Sequence, residues 1–225
     1  MITLDIEKII SFYDDKKQED HYHVSAITGV TGEDLGAGLI KHYLQSTNHD
    51  VDILNENVTI GTLKGNRLDR WILASKNEQK YLYQTEIKNW SSHSMGAKKI
   101  DKDCSLIELV ERANLMYKNI WIEELKNFRD ASVSKVFSKM KPPNNHSTTI
   151  IPLVCFWFPI NPPTNGNKLE PFFELECNSD NFQKVCIFSM SIYLRSLLNS
   201  GKKTISIEAP NIEIRVKQIT SMFMN

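Results

Sequence analysis

Tyr81-Leu82-Tyr83-Gln84-Thr85-Glu86-Ile87-Lys88 is the stretch that decides the fold of this chain. Its residue types suit an extended strand, in which successive side chains point to opposite faces. Gln84, Glu86 and Lys88 then share one face, while Tyr81, Tyr83, Thr85 and Ile87 line the other. One face is apolar and the other carries charge. A carboxylate and an ammonium held on a half-buried strand are costly unless paired or used. A metal ion is a candidate partner for that face.

Working outward, Asn77-Glu78 predicts a turn, and an antiparallel hairpin around it brings together residues whose numbers sum to 155. Asp69 then falls opposite Glu86, and Trp71 opposite Gln84. Adjacent carboxylates repel unless a cation lies between them. A site with few protein oxygen ligands and several waters suits Mg²⁺ or Mn²⁺.

Further out, Leu4, Ile6, Ile9, Ile10, Phe12 and Tyr13 predict a short helix over 3–14, followed by a solvated loop over Asp14–Asp20. Thr31 with Asp34 three residues on has the capping-box pattern. It predicts a helix that begins there and runs through Leu35, Leu39, Ile40, Tyr43 and Leu44, with Glu33 in its first turn. Gly36 and Gly38 inside a helix cost about 1 kcal/mol each relative to alanine, and so predict a close approach to a sheet or a ligand. Strands are expected at 51–60, 68–74 and 80–88, forming a meander, and at Thr149–Phe158, which is apolar enough to be buried on both faces. A long core helix is expected over 104–128. The C-terminal part predicts a strand over 171–177, a helix over 180–199 ended by Gly201, and a hairpin of 204–208 and 211–217 around Ala209-Pro210. The segments 129–147 and 161–168 read as surface loops.

The chain has 225 residues, 41% hydrophobic and 24% charged, with a formal net charge of zero. One domain over 1–225 is expected. Neutrality excludes a broadly cationic nucleic-acid coat, so any nucleic-acid surface must be local. No apolar run approaches the roughly 20 residues of a membrane span, and the early charges predict no signal peptide. Cys104, Cys155, Cys177 and Cys186 lack close metal-ligand spacing, so no zinc site is expected and the compartment reads as a reducing cytoplasm.

An aspartate on one strand and Glu-x-Lys on the next, after a helix bearing Glu33, resembles the PD-(D/E)xK nuclease superfamily. The matching residues are Glu33, Leu68-Asp69 and Glu86-Ile87-Lys88, within the order helix, three strands, long helix, strand. Leu68 stands where the name-giving motif has proline, a position that varies in the superfamily. The resemblance covers about 31–158. It implies an α/β, restriction-endonuclease-like core, with a central mixed sheet flanked by helices in the order α-β-β-β-α-β, and leaves 159–225 as a C-terminal α/β extension.

The resemblance also implies roles. Asp69 and Glu86 would bind Mg²⁺ (or Mn²⁺), with the backbone carbonyl of Ile87 as a further ligand. Lys88 would orient or activate the attacking water, and Glu33 would reach a second metal or a metal-bound water. Gln84 resembles the Q-x-E-x-K variant, where the glutamine supports the site or the phosphate. The activity implied is hydrolysis of phosphodiester bonds, of DNA in preference to RNA, in settings such as restriction or anti-phage defence.

The sequence holds no recognisable sensor or ATPase module. A regulatory or sensor protein partner is therefore expected, or target recognition through the C-terminal third; self-association is left open. Lys98, Lys99 and Lys102, with Arg67 and Arg70 near Asp69, are either a local phosphate-binding groove or ordinary solvated cations. Lys135, Lys139 and Lys141 form a weaker cluster. His93 reads as a loop residue beside the strand, and His21 and His23 as edge-strand or surface residues. The rival reading is a non-catalytic nuclease-fold subunit or scaffold of a nucleic-acid-processing or defence complex. A hydrolase of small phosphorylated substrates would call for a glycine-rich phosphate loop, which the sequence lacks.

Overall fold

Asn77 and Glu78 both adopt positive φ, 50° and 66°, the geometry of a two-residue hairpin turn whose twist matches that of the flanking strands. They join β3 (Arg70–Lys76) to β4 (Gln79–Lys88). The register runs from Lys76↔Gln79 through Trp71↔Gln84 to Arg70↔Thr85, as the turn position predicts. The computed structural model describes residues 1–14, 21–54, 69–88, 149–157, 170–176 and 184–223.

On the outer side of β3 lies β2 (Asp50–Leu54), antiparallel to it. On the other side of β4 lies β5 (Thr149–Phe156), parallel to it. Beyond β5 come β7 (Lys184–Ser189), parallel, and then β6 (Phe172–Glu176), antiparallel to β7. The result is a six-stranded mixed sheet in the order β2-β3-β4-β5-β7-β6. β5 is apolar almost throughout and buried on both faces from Ile151 to Phe156, as a strand between two parallel neighbours should be. Pro152 lies one residue ahead of the β7 ladder, which begins at Leu153↔Cys186, so its missing N–H leaves that ladder whole.

The helices flank this sheet. Helix α1 (Ile6–Asp14) follows the short strand β1 (Ile2–Asp5), and α2 (His21–Ser46) is 26 residues long. Helix α3 (Met190–Asn199) leaves β7 through an N-cap in which Ser189 accepts from the amide of Ile192 at 3.4 Å. β8 (Thr204–Ile207) pairs with β1 antiparallel, and α4 (Pro210–Phe223) closes the described chain.

Helix α2 lies between the two sheets, which explains its glycines. A Cβ on Gly36 would sit 2.7 Å from Ile87 Cγ2 on β4 and 3.3 Å from Cys155 Sγ on β5. A Cβ on Gly38 would sit 2.8 Å from Ile207 Cδ1 and 2.9 Å from the Glu208 carbonyl, beside β8. Both positions are close approaches to a sheet. Residues 34–40 are buried all round, the pattern of a helix enclosed by the core.

Several expectations are corrected. Helix α2 begins at His21 rather than at Thr31, so the His21-Tyr22-His23 run is its first turn. Thr31 sits mid-helix and returns its hydroxyl to the Ile27 carbonyl at 2.8 Å, the alternative that a helical threonine always has to capping. Residues 2–5 form a strand before the first helix. The helix expected over 180–199 divides at Ser189 into β7 and α3, because Val185-Cys186-Ile187-Phe188 pairs between two strands. Residues 210–223 are helical, with Pro210 at the first helical position, where its lost N–H costs nothing. The helix expected over 104–128, the loops at 129–147 and 161–168, and the remainder of the strand expected over 51–60 lie outside the described residues.

Candidate functional site

The face of β4 that carries Gln84 and Glu86 is buried: these residues are 0% and 1% exposed. Gln84 stands between Trp71 on β3 and Pro152 on β5, and Glu86 beside Val154 on β5. The β3–β4 ladder ends one pair short of the expected Asp69–Glu86 match. Asp69 lies in a bend, half-buried. Its side chain meets β4: Oδ2 accepts from the amide of Ile87 at 2.7 Å. That bond sets the Asp69 carboxylate at the end of β4, against the residue that follows Glu86.

Arg70 points to the opposite face, the one covered by α2. Its register partner is Thr85, which shares a face with the Ile87 that Gly36 of α2 approaches. The guanidinium is buried. Nη1 donates to Glu33 Oε2 at 3.0 Å and to the Asp69 carbonyl at 2.6 Å, and Nη2 donates to Asp34 Oδ1 at 2.6 Å. Asp34 also accepts from Asn211 Nδ2 and from the amide of Ile212, each at 3.0 Å, so it caps the start of α4 from within α2. Burial pushes the Asp34 carboxyl up. The hydrogen bonds from Asn211, Arg70 and Ile212 and the charge of Arg70 outweigh it and hold the group below its ordinary value of 3.8.

Of the residues singled out by sequence, the structure bonds Asp69 to Ile87, the residue that follows Glu86 on β4, with Gln84 two residues before Glu86 on the same face. Glu33 is brought to Arg70. Lys88 is the last residue of β4, in register with Phe156. Arg70, expected to be either phosphate-binding or solvated, is neither: at 4% exposure it is enclosed among carboxylates. Arg67, Leu68, His93, Lys98, Lys99, Lys102, Lys135, Lys139, Lys141, Cys104 and Cys177 lie outside the described residues.

Sequence reasoning placed Asp34 in a capping box with Thr31 and missed its bonds to Arg70 and α4, and it missed Asn211. The one available signal was a second acid beside Glu33 in a stretch otherwise apolar and glycine-rich, where an ionised group must have a partner.

Asp69, Glu86 and the Ile87 carbonyl supply hard oxygen donors, the set that Mg²⁺ and Mn²⁺ prefer. Among the described residues no group of three or more His, Cys, Asp or Glu side chains converges on one metal position. A two-carboxylate site fits an ion that keeps most of its waters. The Cys155 thiol is buried, and its pKa is pushed well up, by burial and then by the charge of Asp69.

The chain matches no protein-family model, no curated protein and no solved structure. Among the described residues no helix is long and apolar enough to cross a membrane.

Proposed function

We propose that this chain is a metal-dependent nuclease hydrolysing phosphodiester bonds of DNA, built on a restriction-endonuclease-like core. The observation that carries the reading is the bond from the Ile87 amide to Asp69 Oδ2 at 2.7 Å, which holds one carboxylate at the strand end next to the buried Glu86. Asp69, Glu86 and the Ile87 carbonyl would hold Mg²⁺ or Mn²⁺. When bound, the ion would supply a nucleophilic water and charge stabilisation at the phosphate. Lys88 would place a positive charge beside the developing negative one, and Gln84 would steady the Glu86 face. An effector role in anti-phage defence, in the cytoplasm and under a regulatory protein partner, is the setting the resemblance supports.

The test is cleavage of plasmid and single-stranded DNA in Mg²⁺, Mn²⁺ or EDTA. Wild type cuts with either metal and not in EDTA. Glu86→Ala abolishes cutting, and Lys88→Ala lowers the rate by about 10²- to 10³-fold, as loss of a preorganised donor does elsewhere. Metal-independent cutting, or full activity in Glu86→Ala, defeats the proposal.

A second reading, a non-catalytic nuclease-fold subunit, is favoured by the engagement of Glu33 with Arg70. It predicts that wild type binds DNA without cutting it in any metal.

A further inference from the structure

Arg70 reaches three groups from one buried guanidinium: the Asp69 carbonyl at 2.6 Å, Asp34 at 2.6 Å and Glu33 at 3.0 Å. Asp34 is in turn fixed by Asn211 and the Ile212 amide. The guanidinium therefore has a set orientation, and a planar fork passes that orientation on to whatever it bonds. Asp69 is the residue that receives it. It lies in a bend beyond the last ladder pair, Arg70↔Thr85, so the β3–β4 ladder does not hold its main chain. Arg70 holds it at the carbonyl and the Ile87 amide at the carboxylate.

We infer that Arg70 is a positioning residue, which fixes the main chain of Asp69 so that its carboxylate stays on the Ile87 amide at the end of β4. The role of Asp69 as a metal ligand rests on the proposed function; the grip of Arg70 on Asp69 does not. Lysine cannot replace Arg70, because a single ammonium on a flexible stem cannot hold two carboxylates and a carbonyl in one plane.

The experiment measures amide hydrogen exchange at Ile87, with Tyr83 in the middle of β4 as the internal reference, together with Mn²⁺ affinity by calorimetry. Asp69→Ala removes the acceptor and sets the full effect at Ile87. Arg70→Lys is expected to speed exchange at Ile87 by at least about tenfold while Tyr83 is unchanged, a local opening rather than a global one. It is also expected to weaken Mn²⁺ binding by about 10- to 100-fold, as loss of an outer-shell partner does. Should Arg70→Lys not fold, Asp34→Asn keeps the shape but removes the charge that orients Arg70, and shifts Ile87 in the same direction by less. Exchange at Ile87 that stays at the wild-type rate, or that rises only in step with Tyr83, overturns the inference. If wild type binds no Mn²⁺ while Ile87 responds as described, the metal reading falls and the positioning of Asp69 stands.

Discussion

Asp34 and Asp69 are both bound to the same arginine, yet their surroundings differ. Asp34 lies 4% exposed in the middle of α2, and its donors come from β3 and from the start of α4. Those donors belong to two separate parts of the chain, and Asp34 itself to a third, so its carboxylate acts as a joint between elements. Asp69 gives Arg70 its carbonyl and keeps its carboxylate half-buried at the end of a strand. A carboxylate used as a joint is enclosed and spent on stability. One held by its backbone at a strand end is presented.

Substitutions can break this comparison. The largest effect is expected at Asp34: Asp34→Ala removes one partner of a buried ion pair, leaves Arg70 uncompensated and uncaps α4. It should cost about 3–5 kcal/mol in urea denaturation. Gly36→Ala comes next. Its new methyl would lie 2.7 Å from Ile87 Cγ2, so the Ile87 side chain, the helix or the strand must shift, at about 1–3 kcal/mol. Asp69→Ala should cost only about 1 kcal/mol of stability, the net value of one hydrogen bond, while abolishing metal-dependent cleavage if the nuclease reading holds. An Asp69→Ala loss as large as that of Asp34→Ala would erase the distinction between joint and presented carboxylate.

The pH dependence sharpens the same contrast. The Asp34 carboxyl is held below 3.8 in the folded protein, so its stabilisation is fully present above that value. It is lost as pH falls through the lower folded value. Asp34→Asn cannot titrate. The stability gap between wild type and Asp34→Asn should therefore be constant at neutral pH and narrow below about pH 4 in pH-dependent denaturation. The smallest effect is expected at the turn: Glu78 holds a left-handed φ of 66°, which glycine adopts without strain. Glu78→Gly should raise stability by up to about 1 kcal/mol, measured by thermal melting.

The hairpin was legible because its register depends on two adjacent turn residues and on strict alternation, both local properties. Seven consecutive pairs, from Lys76↔Gln79 to Arg70↔Thr85, follow from where Asn77 and Glu78 sit. The glycines of α2 were legible as close approaches, although what they approach was not. The clamp was not legible, because Asp34 and Ile212 are 178 residues apart, and no local pattern relates an acid in one helix to the first turn of another. The same limit explains the C-terminal correction. Residues 204–207 alternate like a hairpin arm, but the partner strand is Ile2–Asp5, and a local partner was the only kind that sequence could offer. At 184–189 an apolar run fits a strand or a buried helix equally, and only the neighbours β5 and β6 decide it.

The β1–β8 pairing joins Ile2 to Ile207, and this has a consequence for the order of folding during synthesis. The six-stranded sheet needs nothing beyond Ser189, so its core can assemble while the last part of the chain is still being made. Helix α2 can then dock its Gly36 side on β4 and β5. Its Gly38 side waits for Ile207, and the Asp34 carboxylate waits for Asn211 and Ile212. Contacts of such high sequence separation form slowly. Until they form, the Asp34 carboxylate has Arg70 but lacks the donors of α4, and the strand end that carries Asp69 completes its support only when the C-terminal residues arrive.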